Sequence, residues 1–299
     1  MNGRTFGLDS QKRKTRLGHT AIHVIAIFVC LLALLPLLLI LSASFTDEKT
    51  LAQYGYQLIP IKFSTYAYQF LMNDPEQLIR AYGVSLTVTL VGTALSLLIM
   101  SMLAYAMSRR DFALRHVLAF FVFFTLLFNG GLVPYYILMT QTLHLKNNLL
   151  ALILPYLVMP FFVLLLRTYF ASLPRELIDA AKMDGASEWR IFFQIVVPLS
   201  TPALATVGLF SMLLYWNDFY QALLFIDNQK LYPLQYFLYN LAQNVEILME
   251  NQTGQGVPIP YQSVRMAMAV LAIGPIAFAF LFVQRYFVRG ITLGGLKGE

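Results

Sequence analysis

At 299 residues, 58% hydrophobic and only 12% charged, with a mean hydropathy of +0.65, the chain carries roughly half the charge of a soluble domain of its size. That balance excludes an ordinary water-soluble fold and points to an integral membrane protein. The net charge of +6 is spread over segments that flank apolar runs, which argues against a nucleic-acid-binding face, and the single cysteine, Cys30, excludes an intrachain disulfide or a Cys-based metal cluster.

Residues 1–20 form a basic segment holding Arg4, Lys12, Arg13, Lys14 and Arg16. Six apolar runs follow, near 21–44, 80–107, 117–139, 148–169, 199–225 and 264–286, each long enough to cross a bilayer, which takes about 20 residues. Their length argues for an α-bundle, because a membrane barrel needs short alternating strands. Pro36, Pro134, Pro155, Pro160 and Pro275 fall within or beside these runs, where neighbouring helices can satisfy the freed carbonyls. The first run ends in Ser42-Ala43-Ser44 and so imitates a signal peptide. Its apolar stretch from Ala21 to Leu41 is nevertheless longer than the roughly 7–15 residues of a signal core, so it is read as a retained span.

Orientation follows from the basic residues. With the N-terminus inside, 15 of the 21 Lys and Arg lie on the cytoplasmic side, Arg109, Arg110, Arg115, Arg167, Arg175, Lys182, Arg190, Arg285, Arg289 and Lys297 among them. The outer segments keep Lys49, Lys62, Arg80, Lys146, Lys230 and Arg265. This bias predicts cytoplasmic termini and a cytoplasmic 171–197 loop. Two large outer segments, 45–79 and 226–263, are rich in Tyr (Tyr54, Tyr56, Tyr66 and Tyr68 in the first) and in Gln or Asn. Such a composition suits carbohydrate, and equally an aromatic belt at the membrane interface. Asn251-Gln252-Thr253 fits a glycosylation sequon, a match too short to carry weight. Asp218 is the main ionisable group within an apolar run, and a pathway role and a structural hydrogen bond are both open to it. Arg265, near the start of the sixth run, either pairs with an acid or sits at the interface.

Between the fourth and fifth runs lies a charged island, Glu176–Pro198. Ser172 and Pro174 suit a helix start, and Gly185 suits its stop, because glycine adopts φ > 0 without penalty. Ser187 can then cap a second short helix with Glu188 in its first turn. The expected result is a helix, a glycine turn and a helix, too polar for lipid and too short for a domain. Ala180 and Ala181 leave room for a partner's surface, and Glu176, Asp179 and Asp184 offer it carboxylates.

This island resembles the loop that bacterial ABC-importer permeases present to their ATPase. The family pattern is Glu-Ala-Ala, three residues, Gly, nine residues, Ile-x-Leu-Pro; here Asp179-Ala180-Ala181, Gly185 and Ile195-Val196-Val197-Pro198 keep every spacing. Asp179 stands for Glu and Val197 for Leu. Trp216-Asn217-Asp218-Phe219 resembles a Trp-Asn-acid-Phe segment of sugar-importer permeases. Phe128-Asn129-Gly130-Gly131-Leu132-Val133-Pro134 resembles a stretch of the LplC-type polysaccharide and oligosaccharide branch. The end of the chain, Gln284–Gly290 with Gly294-Gly295-Leu296-Lys297-Gly298, resembles the tail of the maltose-permease class.

The resemblance implies an all-α bundle of six transmembrane helices with a cytoplasmic coupling helix-turn-helix, the type I ABC-importer fold. The permease domain would occupy 21–289, its coupling loop 172–198, and a cytoplasmic tail 290–299. It implies a non-catalytic transport subunit of the cell membrane that moves a carbohydrate, a complex oligosaccharide, by alternating access. The partners implied are a second homologous permease chain, two ATP-binding subunits and an extracellular solute-binding protein. Glu176, Asp179, Ala180, Ala181, Asp184 and Gly185 would couple to the ATPase, Gly294, Gly295 and Lys297 would touch it through the tail, and Trp216, Asn217, Asp218 and Tyr220 would line the substrate pathway. The chain has no Gly-x-x-x-x-Gly-Lys-Ser/Thr loop, so ATP is expected on another subunit, and neither cofactor nor metal is expected. The competing classes are an ion-coupled secondary transporter, distinguished by its energy source, and a membrane enzyme with a nucleophile buried in the bundle.

Overall fold

Inside a bilayer every backbone N–H and C=O must be paired within the protein, so apolar runs of this length fold as helices. The computed structural model describes residues 5–250 and 260–295, and every regular element there is helical apart from an isolated bridge between Thr46 and Phe63. The chain begins with α1 (Thr5–Ser44), α2 (Glu48–Tyr54), α3 (Tyr66–Leu71), α4 (Pro75–Ser108) and α5 (Arg115–Leu127). It continues through α6 (Leu132–Ile137), α7 (Leu150–Ile153), α8 (Pro160–Ala171), α9 (Arg175–Met183) and α10 (Glu188–Ile191). The remaining helices are α11 (Val197–Leu199), α12 (Thr201–Asn217), α13 (Tyr220–Phe225), α14 (Leu234–Glu250) and α15 (Tyr261–Gly295).

Three stretches are long and apolar enough to span a membrane as single helices: Ile22–Ser44, Pro75–Ser108 and Tyr261–Leu281. The other three expected spans are bent pairs, so the expectation of continuous helices needs correction there. Arg115–Leu127 and Leu132–Thr142 meet at 114°, across Asn129-Gly130-Gly131 with Gly131 at φ +86°. The chain reverses in the middle of an apolar stretch because glycine permits it and the Asn129 carboxamide accepts the Gly131 N–H at 2.8 Å. Leu150–Tyr156 and Pro160–Ala171 meet at 49°, the break falling between Pro155 and Pro160. The expected 199–225 run divides into α12 and α13 at Asp218-Phe219, and α12 itself turns 82° from Glu188–Leu199. Pro36 and Pro275, by contrast, lie inside unbroken helices.

The chain divides into two compact units, Met1–Asn73 with Val245–Leu271 and Asp74–Asn244 with Ala272–Glu299. In the first, Phe45 stacks on Phe63 at 5.4 Å and packs against Tyr68 at 4.8 Å, fixing the segment after α1. The Glu48 carboxylate accepts from the backbone N–H groups of Gln262 and Ser263, each at 2.9 Å, where the positive end of the α15 dipole favours an anion. Among the described residues Arg265 pairs with no acid; it is exposed, its guanidinium 6.0 Å from the Tyr261 ring and donating to the Tyr261 hydroxyl.

The second unit is organised around α4. Its 34 residues measure about 51 Å, more than a hydrocarbon core of about 30 Å, so its ends stand clear of lipid. Its buried positions, among them Ser85, Thr89, Gly92, Ser96, Met100 and Ala104, form one stripe three to four residues apart. Small side chains let helices approach closely where lipid is as apolar as the core and burial alone gives no drive. Against this stripe pack α8 and α12, with Val163, Leu166, Phe170, Ala203 and Val207 completing the core. The tightest point is Gly92, where an added Cβ would lie 2.6 Å from the Tyr215 ring. That ring is held in place, since its hydroxyl donates to the Ile153 carbonyl at 2.9 Å.

Two glycines of the same helix should therefore respond with opposite signs. Gly92→Val is expected to destabilise by about 2 kcal/mol through overpacking against Tyr215. Gly83→Ala meets nothing within 4 Å, so it should be neutral or stabilise by up to about 1 kcal/mol. Thermal unfolding of both variants in detergent checks the pair.

Candidate coupling site

The charged island folds as a helix, a glycine turn and a second helix. Pro174, at φ −58°, stands just before α9, while Ser172 ends the preceding helix instead of opening this one, its hydroxyl donating to the Tyr169 carbonyl at 2.7 Å. At the far end the Gly185 N–H donates to the Lys182 carbonyl at 3.0 Å and the Ala186 N–H to the Ala181 carbonyl at 2.9 Å. This pair of bonds is a Schellman stop, and it needs the left-handed φ of +74° that Gly185 supplies. Ser187 then caps α10, its hydroxyl accepting from the Arg190 N–H.

The loop is not a floating arm. Ile178 and Ala181 of α9, with Leu173 and Ala186 on either side, pack against the core of α4, α8 and α12. Glu176, Asp179, Ala180, Asp184 and Gly185 are exposed, so five of the six expected coupling residues face solvent and Ala181 is half-buried. At 100° per residue, Glu176, Ala180 and Met183 lie opposite the Ile178–Ala181 stripe, with Asp179 on one flank and Leu177 on the other.

A network of ionised groups fastens the loop to the end of α4. Arg109 grips Asp111 with both Nε and Nη2, at 3.0 and 2.7 Å. Lys182 of α9 donates to the same Asp111 carboxylate at 2.6 Å and lies 3.1 Å from Glu188 of α10. The Tyr105 hydroxyl of α4 donates to Glu188 at 2.6 Å, and Arg109 lies 3.4 Å from it. Hydrogen bonds from Arg109, then from Lys182, hold Asp111 far below the usual carboxylate range. Bonding to Asp111, then to Glu188, raises Lys182. Sequence reasoning counted Arg109 and Lys182 only toward topology and missed Asp111 and Tyr105. No local pattern could have found them, because Asp111 and Lys182 are 71 residues apart.

Apolar side chains at the loop surface were also missed. Leu177 is 46% exposed, Trp189 60% and Met183 89%, in a segment otherwise rich in charge. Large apolar groups exposed beside carboxylates are the composition of interaction surfaces. The helical spacing held this signal, since Leu177 and Met183 fall off the Ile178–Ala181 stripe that meets the core.

The remaining expected residues are dispersed. Trp216 is buried and its indole donates to the Ala272 carbonyl at 2.9 Å, which makes it a brace for α15. Asp218 accepts from the Tyr156 hydroxyl at 3.0 Å and from the N–H groups of Tyr220 and Gln221 at the start of α13. Asn217 and Tyr220 are exposed beside that break. Gly294 and Gly295 fall at the end of α15, whereas Lys297 and the Asn251-Gln252-Thr253 sequon lie outside the described residues.

Residues 80–293 match the family described as binding-protein-dependent transport system inner membrane component. Over 95% of its length the chain is 35% identical to the whole of the polygalacturonan/rhamnogalacturonan transport system permease protein YtcP of Bacillus subtilis strain 168. It is 37% identical to protein LplC of the same strain, over 89% of this chain and 90% of that one. A solved bacterial ABC transporter involved in import of the acidic polysaccharide alginate superposes with a TM-score of 0.77 at 27% identity, covering 92% of this chain and 98% of that one. The chain belongs to the binding-protein-dependent inner-membrane permease family. It is the membrane-spanning, non-catalytic subunit of an ABC importer, with ATP hydrolysis carried by separate subunits. The ion-coupled and enzymatic alternatives fall away with that assignment.

Removing the Asp111 charge tests the network. Asp111 is more than half exposed, so Asp111→Asn should cost no more than about 1 kcal/mol of global stability. Hydrogen exchange at 175–183 should nonetheless quicken, because Lys182 loses the carboxylate that ties it to the end of α4 and keeps only Glu188. Since the fold lowers the Asp111 pKa, its contribution is complete above the ordinary carboxylate value of about 3.9 and drains as pH falls below it. The difference between wild type and variant should be flat from about pH 5 to 8 and shrink below about pH 4.

Proposed function

We propose that the outward side of α9 and α10 is the coupling surface on which an ATP-binding subunit seats, with Glu176, Asp179, Ala180, Asp184 and Gly185 presented to it and Ala181 setting the loop against the bundle. The observation that carries this reading is a solvent-facing helix-turn-helix rigidly joined to α4 through Asp111 and Lys182. A push on such a loop reaches the membrane helices; a push on a floating loop would not. Two ATP-binding subunits, closing on ATP, drive the loop as a lever and shift the bundle between inward- and outward-open states. A second permease chain completes the pathway, and an extracellular binding protein delivers the solute. Both termini lie in the cytoplasm, where Gly294, Gly295 and Lys297 meet the ATPase.

The substrate is a complex oligosaccharide. Support comes from relatives whose names refer to polygalacturonan, rhamnogalacturonan and arabinooligosaccharides. Asn217 and Tyr220, exposed at the break in the fifth span, offer hydrogen bonds and an aromatic face to a sugar, while Trp216 and Asp218 hold that break in shape. Uptake of labelled oligogalacturonides by the reconstituted importer tests the class, with no uptake of any oligosaccharide counting against it.

Gly185→Val tests the lever. Nothing crowds the position, so the effect comes from φ alone, which valine resists at +74°. The complex should still assemble and hydrolyse ATP, while uptake falls at least about tenfold, equivalent to about 1.4 kcal/mol of lost coupling. Uptake at the wild-type rate would end the lever reading.

A further inference from the structure

Where α4 and α8 end, an open cavity of about 230 Å³ lies against one flank of α9, the flank that carries Asp179 and Lys182. One wall is apolar, formed by Phe170, Leu173 and Ile178; the other carries Arg110, Arg175 and Asp179 along with part of the Asp111 network. The two kinds of wall meet at the ends of the apolar Pro75–Ser108 and Pro160–Ala171 helices.

Charge accounting shows what the cavity lacks. Arg109, Lys182, Asp111 and Glu188 pair among themselves, two cations with two anions. Among the described residues, Arg110 and Arg175 have no carboxylate within ion-pairing distance, and neither does Asp179 have a cation. Two arginines against one aspartate leave a single positive charge. A phosphodiester carries one negative charge and closes that balance; a free phosphate dianion overshoots it. Guanidinium groups grip phosphate oxygens in pairs, and basic pockets between membrane helices hold anionic lipid headgroups.

We propose that this cavity binds the phosphodiester headgroup of an anionic phospholipid, with Arg110 and Arg175 on the phosphate and the acyl chains leaving over Phe170 and Leu173. Such a lipid bridges the end of α4 to α9, the two parts that the Asp111 network also joins. Lipid composition thereby adds to the stiffness of the coupling loop. The proposal does not rest on the loop's partner.

The test is native mass spectrometry of the full chain in neutral detergent, titrated with phosphatidylglycerol, phosphatidylcholine or inorganic phosphate. Phosphatidylglycerol should be retained in preference to phosphatidylcholine. Arg110→Gln with Arg175→Gln should weaken it about twenty-five-fold, at about fivefold per arginine. Arg190→Gln, whose guanidinium donates to Gln194 away from the cavity, should change it less than about twofold. If the double variant misfolds, Arg110→Gln alone should show the fivefold loss. Equal retention of the two lipids, or an Arg110→Gln chain that binds as wild type, overturns the proposal. Displacement of the lipid by millimolar inorganic phosphate overturns the lipid assignment in favour of a soluble anion.

Discussion

The tie between the coupling loop and α4 runs through one shared carboxylate. Asp111 sits just beyond the end of α4 and is gripped by Arg109 from its own loop and by Lys182 from α9. Without it α9 would lose its charged tie to the end of α4 and rest on the half-buried contacts of Ile178 and Ala181, while α10 would keep Glu188 on Tyr105 and Arg109. Charged pairs at an exposed surface contribute little to global stability, and here stability is not what the pairs chiefly provide. Several of them converge on two acids from three directions, fixing the orientation of α9 and α10 relative to α4. A short loop becomes an extension of a helix about 51 Å long.

The membrane imposes a different constraint on the rest. Within lipid, apolar burial gives helices no reason to associate, so close approach and local hydrogen bonds take over. Gly92 against Tyr215, and Gly208 against Leu97, are places where α4 and α12 leave little or no room for an added Cβ. Irregular backbone at this depth persists only where its polar groups are satisfied. At the break between α12 and α13 the Asp218 carboxylate accepts from two N–H groups and a tyrosine hydroxyl, and the Tyr135 hydroxyl donates to Gln221 beside it. The break is thus a built feature, positioned against other broken elements of the same unit.

Much of this was legible in the chain. Hydropathy located all six apolar runs, and the glycine at 185 marked the turn because only one conformation satisfies a helix stop there. What stayed hidden was set by tertiary contact. The reversal at Phe128–Gly131 lies in a stretch apolar enough to read as continuous helix, and its glycines alone do not announce a 114° bend. Ser172 reads equally well as the end of one helix or the start of the next, and a single bond to the Tyr169 carbonyl decides it. Trp216 was read with its exposed neighbours as pathway; nothing in the sequence announces that it is buried, with its indole donating to the Ala272 carbonyl. The Asp111 network joins segments about 70 residues apart, a distance no local spacing encodes.

The central claim is that the outward side of α9 meets an ATP-binding subunit while its inner side is fixed to the bundle. Site-directed cross-linking tests it most directly, because Cys30 is the only native thiol and can be replaced by serine. In that background, Ala180→Cys probes the exposed side of α9, and Tyr220→Cys serves as a control on the exposed break between α12 and α13. With the complex assembled in membranes, a short bifunctional reagent should join residue 180 to the ATP-binding subunit and leave residue 220 unjoined to it. An assembled complex in which residue 180 never cross-links to that subunit, or in which residue 220 does so equally, would contradict the account.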